Sequence, residues 1–365
     1  MGGAGRRRRR VSTAASQRMT ADQPHSILFV CDFDPGFSGT KHHTLGVGGT
    51  EAMVVVLSEA LAARGIDVTV ATRSAAEEHN RVHYERIHAP RAHDPDVTVL
   101  VKQWSDAVGT ARSERVFLAT DVHVPDRQMI ARCIGWCTKS LALSPFMRTS
   151  LQAVVSVPDM GILPPPIAIE DYTAPDEVRE PVMLYCSVPD RGLYYLKDLF
   201  PAIRARVKDA TLVITSDFTL WGRAPAKEAF MRFFERTPGV EYLGHVDRSR
   251  LIAEQRRARV LAYPCIFEEG FCIAAAECMA AGAVPVTTNA FALTTTVGDA
   301  GVLIDGRPRS WFYRRRFVKA VTALLADDEK WRAKSRACRA RAQNYGTAAV
   351  AEAFLSAIAG LRPVA

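Results

Sequence analysis

The stretch "YPCIFEEGFCIAAAECMAAGAVPV", residues 263–286, decides the fold. The run "RVLAYP" (259–264) leading into it is apolar and of strand length, and "FEEGFC" (267–272) reads as a turn. "IAAAECMAAG" (273–282) then reads as a short helix of small residues ended by Gly282, and a strand follows. Strand, turn, helix and strand in so little chain make a βαβ unit, which demands a parallel sheet with helices on its faces. The free N–H groups of Phe271, Cys272 and Ile273 should leave a helix N-terminus there, a place suited to an anion by geometry and dipole. Glu269 and Glu277 stand on either side of it. Acids in contact with a phosphate would repel it, so they suit hydroxyl groups flanking one. A nucleotide sugar has that order: sugar hydroxyls, diphosphate, ribose hydroxyls.

The same alternation extends in both directions. "SILFVCDF" (26–33) is a buried-strand run, followed by a long loop "DPGFSGTKHHTLGVGG" (34–49) and a helix in "TEAMVVVLSEALAARG" (50–65) closed by Gly65. "IDVTVATR", "VTVLV" and "RVFLAT" read as further strands. Residues 157–181, "VPDMGILPPPIAIEDYTAPDEVREP", hold six prolines and no helical period, and so read as a linker. A second series begins with "PVMLYCS" and runs through "ATLVITS", a helix near 225–236, "VEYLG" and "RVLAYP", ending in helices at 313–326, 328–342 and 347–360. The expected fold class is α/β: two doubly wound, Rossmann-like domains facing each other across a cleft. The expected division is a basic tail over 1–24, a first domain over 25–160 and a linker over 161–180. A donor domain follows over 181–342, with a terminal helix over 343–365 that can pack back on the first domain. Ligands of such sheets bind beyond the carboxyl ends of the strands, which places the site in the cleft.

Composition narrows the class of protein. The chain has 365 residues, 48% hydrophobic and 24% charged, as expected for globular domains. Its net charge of +8 owes six arginines to residues 1–18, leaving +2 for the rest, so the basic balance belongs to a tail rather than to the fold. That tail lacks an apolar stretch after its arginines and interleaved aromatics, so neither a signal peptide nor a nucleic-acid groove is expected. Met19 is a candidate start. The eight cysteines are scattered without a second pair at ligand spacing near Cys133 and Cys137, which reads as buried thiols in a reducing cytoplasm. Neither a metal nor a cofactor is expected. "CDFD", with Asp32 and Asp34, imitates a metal-binding DxD pattern but sits at a strand end and reads as loop polarity.

Three other places suit the same ligand. Gly48 and Gly49 precede a helix and let backbone approach a phosphate, although Glu51 stands where a dinucleotide fingerprint needs its third glycine. Arg191, just past the first strand of the second series, can neutralise a diphosphate leaving group. His123 and Asp121 follow a strand and can line the cleft, and His42 and His43 are candidates for acceptor contact.

With these residues in view, the sequence resembles a retaining glycosyltransferase of the large family 4 type, with a GT-B fold. The resemblance rests on the E-x7-E pair Glu269 and Glu277, "AGAVPVTT" (281–288), the glycine pair before Glu51, "SVPDRGL" (187–193), "LALSPFMRTSL" (141–151) and "VGDAGVLI" (297–304). It implies that Glu269 binds donor-sugar hydroxyls and Glu277 the ribose. The amides of Phe271 to Ile273 and Arg191 would bind the diphosphate. It further implies front-face displacement without metal, in which the leaving diphosphate takes the acceptor's proton. The chain departs from the pattern in offering only Arg191 of the usual two cations, in Thr295 where an acid is common, and in "PDMG" (158–161) near the linker. The expected partners are a nucleotide-sugar donor and a saccharide, lipid or other hydroxyl acceptor, with peripheral membrane contact and no transmembrane segment or nucleic acid. Two alternatives stay open: a catalytically silent nucleotide-sugar binding protein on the same fold, or a sugar-nucleotide epimerase.

Overall fold

A computed structural model describes residues 24–91, 94–108, 113–122, 126–157, 159–173, 179–219 and 229–359. The first domain runs β1 (Ser26–Val30), α1 (Gly39–Thr44), α2 (Gly49–Ala62), β2 (Asp67–Thr72), β3 (Glu77–His79), β4 (Val82–Arg86), β5 (Val97–Val101) and β6 (Glu114–Ala119). It continues through α3 (Arg127–Trp136), β7 (Lys139–Ala142), α4 (Pro145–Gln152) and β8 (Met160–Ile162). The second runs β9 (Val182–Tyr185), α5 (Leu193–Arg204), β10 (Thr211–Ile214), α6 (Ala229–Glu235), β11 (Val240–Tyr242), α7 (Arg248–Arg257), β12 (Val260–Tyr263) and α8 (Ile273–Ala281). β13 (Val284–Thr288), α9 (Leu293–Thr296), β14 (Val302–Ile304), α10 (Trp311–Ala326), α11 (Asp328–Ala342) and α12 (Thr347–Ile358) complete it.

The strands form two sheets, ordered β3-β4-β2-β1-β5-β6-β7-β8 and β11-β10-β9-β12-β13-β14. All pairings are parallel except β3 with β4, a hairpin at the first sheet's edge. In each, chain order runs outward one way from a central strand and then the other, so a crevice opens where the direction reverses, beside β1 and β9. The central strands are sealed on both faces: every residue of β5, β9, β12 and β13 is buried. That is why they read as unbroken apolar runs instead of alternating ones. The two doubly wound domains are those expected.

Three local readings change. The long loop after β1 contains α1, whose N-cap Ser38 accepts a hydrogen bond from the Lys41 amide. A hairpin, β3–β4, follows β2 where no strand was read. The boundary drawn at residue 160 cuts β8, which pairs with β7 through Met160 and Ser140, and the proline run begins only after it. The helix read near 225–236 is present as α6 over Ala229–Glu235, and residues 225–228 lie outside the described residues. The basic tail lies outside the described residues apart from Pro24. At the other end, α12 returns to α2, and Phe354 stacks on Phe29 of β1 at 6.2 Å, so the terminal helix closes the first domain's core. No described helix is long and apolar enough to cross a membrane.

Candidate active site

The cleft between the domains holds a cavity of about 350 Å³. It is lined from one side by Gly48, Gly49 and Asp121 and from the other by Arg191, Glu269 and Glu277. The walls come close. A Cβ added to Gly49 at the start of α2 would stand 3.3 Å from Ile273 Cδ1 at the start of α8. Two helix starts therefore meet at one gap: that of α8 has no acid in its first turn and favours negative charge, while that of α2 already holds the carboxylate of Glu51.

The turn before α8 is shaped for this. Cys272 is the N-cap in the left-handed region (φ 75°), and no side chain caps the helix. An uncapped first turn leaves its amides for another acceptor. The side chain of Phe271 is buried in edge-to-face contact with Tyr345, 5.0 Å between centroids, so only its backbone faces the site. Burial pushes the Cys272 thiol well above its ordinary pKa, with Glu269 adding to the effect. A thiol so protonated is a packing group, not a nucleophile. Gly282, also left-handed (φ 85°), ends the helix where the sequence placed its stop.

Glu269 is 4% exposed, accepts a hydrogen bond from the Tyr263 hydroxyl at 2.5 Å and pairs with Arg191 Nη1 at 3.0 Å. Arg191 also lies over the Phe267 ring at 4.2 Å. Burial opposes the charge on Arg191, but Glu269, Tyr263 and Cys272 outweigh it and leave the guanidinium's pKa raised. The neighbouring Gly192 (φ 154°) has to be glycine, because a Cβ there would come within 2.5 Å of the Pro264 carbonyl oxygen. That close approach brings the end of β9 against the end of β12 and Arg191 against Glu269.

Glu277 is 6% exposed, and both its oxygens are held: Oε1 by Arg248 Nη1 at 2.7 Å and Oε2 by Gln255 Nε2 at 3.0 Å. Arg248 also donates to the Tyr172 hydroxyl at 2.8 Å. Asp121 lies at the cleft's edge, half exposed and paired with Lys102 at 3.2 Å. His123 lies outside the described residues. Asp32 and Asp34 are both bound to Arg73, at 2.8 and 2.6 Å.

Residues 180–327 match the family model described as "Glycosyl transferases group 1". The match is to a glycosyltransferase domain and spans the greater part of the second domain. No curated protein matches the sequence. Among solved structures, sucrose-phosphate synthase from Thermosynechococcus elongatus is similar at 17% identity and TM-score 0.70, over 90% of this chain and 97% of that one. Anabaena HepE, solved with UDP-glucose, is similar at 16% and 0.70, over 91% and 99%. WaaG, a glycosyltransferase involved in lipopolysaccharide biosynthesis, is similar at 16% and 0.67, over 92% and 100%. At these identities the likeness establishes the architecture, which is GT-B.

Several residues that line the cleft or hold its acids from beneath were missed in the sequence. Arg248 is the foremost. It occupies the first position of α7, where a cation meets the positive end of a helix dipole, and that misplacement was the available signal. Tyr263 and Gln255 carry no such mark, since a tyrosine ending a strand and a glutamine inside a helix are ordinary. His42 reads as a loop residue but is 3% exposed on the cleft wall, with its Nδ1 buried and without a hydrogen-bond partner.

Proposed function

We propose that the protein is a retaining glycosyltransferase of the family 4 type, moving a sugar from a nucleotide diphosphate donor to an acceptor hydroxyl. One observation carries the reading. Buried Glu269, shared by Tyr263 and Arg191, stands at the uncapped entrance of α8 inside the cleft between two doubly wound sheets. In this reading the donor's diphosphate sits on the α8 amides beside Arg191, with the sugar hydroxyls on Glu269 and the ribose on Glu277. Gly48 and Gly49 border the phosphates from the opposite wall. The bond from the anomeric carbon to the diphosphate oxygen breaks as the acceptor oxygen bonds to the same face of that carbon. The acceptor's proton passes to the departing diphosphate. Catalysis is then positioning and stabilisation of the charge that develops on the leaving group, work that fixed donors do well in a water-poor cleft.

Uridine diphosphate sugars are the first donors to try, since Anabaena HepE was solved with UDP-glucose. The acceptor is a saccharide, lipid or other hydroxyl compound met in the cytoplasm or at its membrane face. Membrane contact is supported by Trp311 and Phe312, 62% and 69% exposed at the start of α10 next to Arg315, with Tyr194 exposed on the adjoining α5. The test is a panel of UDP, GDP, ADP and dTDP sugars, scored for nucleotide diphosphate release and, by proton NMR, for the configuration of the product. The expected result is release from one donor class with the anomeric configuration kept. Inverted product, a free epimer, or binding without release from any donor overturns it; the last two outcomes correspond to the epimerase and the silent binder.

A further inference from the structure

We propose that His43, Glu59 and His79 bind a divalent transition-metal ion of the zinc type. Three separate elements deliver these side chains: His43 comes from α1, Glu59 from α2 and His79 from the end of β3. One ligand atom from each lies within 4.8 Å of the other two. His43 Nε2 is 2.9 Å from Glu59 Oε1, and His79 Nε2 is 4.0 Å from the same oxygen. Ligands held about 2.0–2.1 Å from a tetrahedral zinc stand roughly 3.4 Å apart, so small side-chain rotations bring all three to bonding distance.

The surroundings also suit such an ion. The two imidazoles are nearly parallel, 5.1 Å between centroids and 28° between planes, and both turn Nε2 to the carboxylate. The other nitrogen of His79, Nδ1, faces the Thr40 hydroxyl at 3.4 Å. A partner on the far nitrogen is how proteins orient a metal-bound imidazole. Glu59 is steadied by Asn80 Nδ2 at 3.0 Å. Two neutral imidazoles and one carboxylate carry a net negative charge and a nitrogen-rich donor set, which selects zinc over magnesium or calcium. The side chains are 39%, 18% and 28% exposed, which leaves solvent access and room for water as a fourth ligand.

The ion would be structural. None of the three residues lines the described cleft. They meet where α1 leans on α2 and β3, while α1 also packs against α7 of the second domain. His42, next in sequence to His43, lines the cavity. A metal at this point would bolt the wall carrying His42 to the first domain's edge hairpin. The inference holds whatever reaction the cleft performs.

The experiment uses the tag-free, full-length protein after chelator treatment, titrated with zinc chloride by calorimetry and with cobalt(II) by absorption spectroscopy. The expected result is one equivalent of zinc bound with micromolar or tighter affinity, and cobalt bands of tetrahedral type. Zinc at a hundredfold excess over its Kd should raise Tm by roughly 5 °C. Both Glu59→Gln and His79→Ala should lose the binding. His83→Ala, on the same hairpin and half exposed, should keep it. Glu59→Gln also removes partners of His43 and Asn80, so far-UV circular dichroism checks its fold, and His79→Ala decides the matter should that variant unfold. Failure to bind one equivalent, or binding that survives in folded His79→Ala, overturns the proposal.

Discussion

Arg191 Nη1 lies 3.0 Å from Glu269 Oε1, so the cation and the acid assigned to opposite ends of the donor's sugar–phosphate bond hold each other across the cleft floor. Each is the other's compensation for burial. Removing Arg191 leaves a nearly buried carboxylate with Tyr263 as its remaining named donor, and such orphaned charges are costly. Arg191→Ala should therefore cost about 2 kcal/mol of stability and lower transfer by about a hundredfold or more. The double variant Arg191→Ala/Glu269→Gln should regain part of the stability and none of the activity. Thermal melts with initial rates on the parent and both variants check this, and a double variant no more stable than Arg191→Ala would contradict it.

Glu277 is held at both oxygens, by Arg248 and by Gln255, and is assigned to the ribose, remote from the reacting carbon. Contacts equal in ground and transition states lower KM without raising kcat. Glu277→Gln should raise the donor KM about tenfold and leave kcat within about threefold. Arg248→Ala should do the same and also lower Tm, because it frees the Glu277 and Tyr172 oxygens together. Steady-state kinetics in donor concentration separate this from a chemical role, in which kcat would fall instead.

His42 has a pKa pushed down to about 3 by burial, with Arg248, His43 and His79 adding repulsion. The fold thus holds the ring neutral, while the unfolded chain protonates it below its ordinary value of 6.5. Between those values the unfolded state binds more protons, so stability falls as pH drops from 6.5 towards 3, by up to about 1.4 kcal/mol per pH unit from this residue. Urea melts between pH 7 and pH 4.5 should show a shallower decline for His42→Gln than for the parent. Equal slopes would mean that His42 is hydrated and titrates normally.

Trp311 and Phe312 stand out from the second domain without a covering partner among the described residues, beside Arg315. Replacing both with Ser should leave Tm within about 1 °C, since exposed side chains contribute little to folding. Sedimentation with vesicles containing anionic lipid should fall severalfold, and the residual binding should weaken with salt. Unchanged sedimentation would assign these aromatics elsewhere.

The sequence by itself determined the alternating strands and helices, the parallel sheets, and the turn with Glu269 and Glu277 at the mouth of α8. These follow from hydrophobic period, from glycine at helix ends and from the acids' spacing, all of which are local. Arg191 too was singled out, as a cation just past the first strand of the second series. What only the tertiary structure decided is which groups share their charge: Arg191 with Glu269, Arg248 with Glu277, and His43 with Glu59 and His79. Those partners are 78, 29, 16 and 36 positions from one another, residue by residue along the chain. Sheet packing sets such distances, and no short-range pattern carries a trace of it. The burial of His42 has the same origin, since it needs α1 from one domain pressed against α7 from the other.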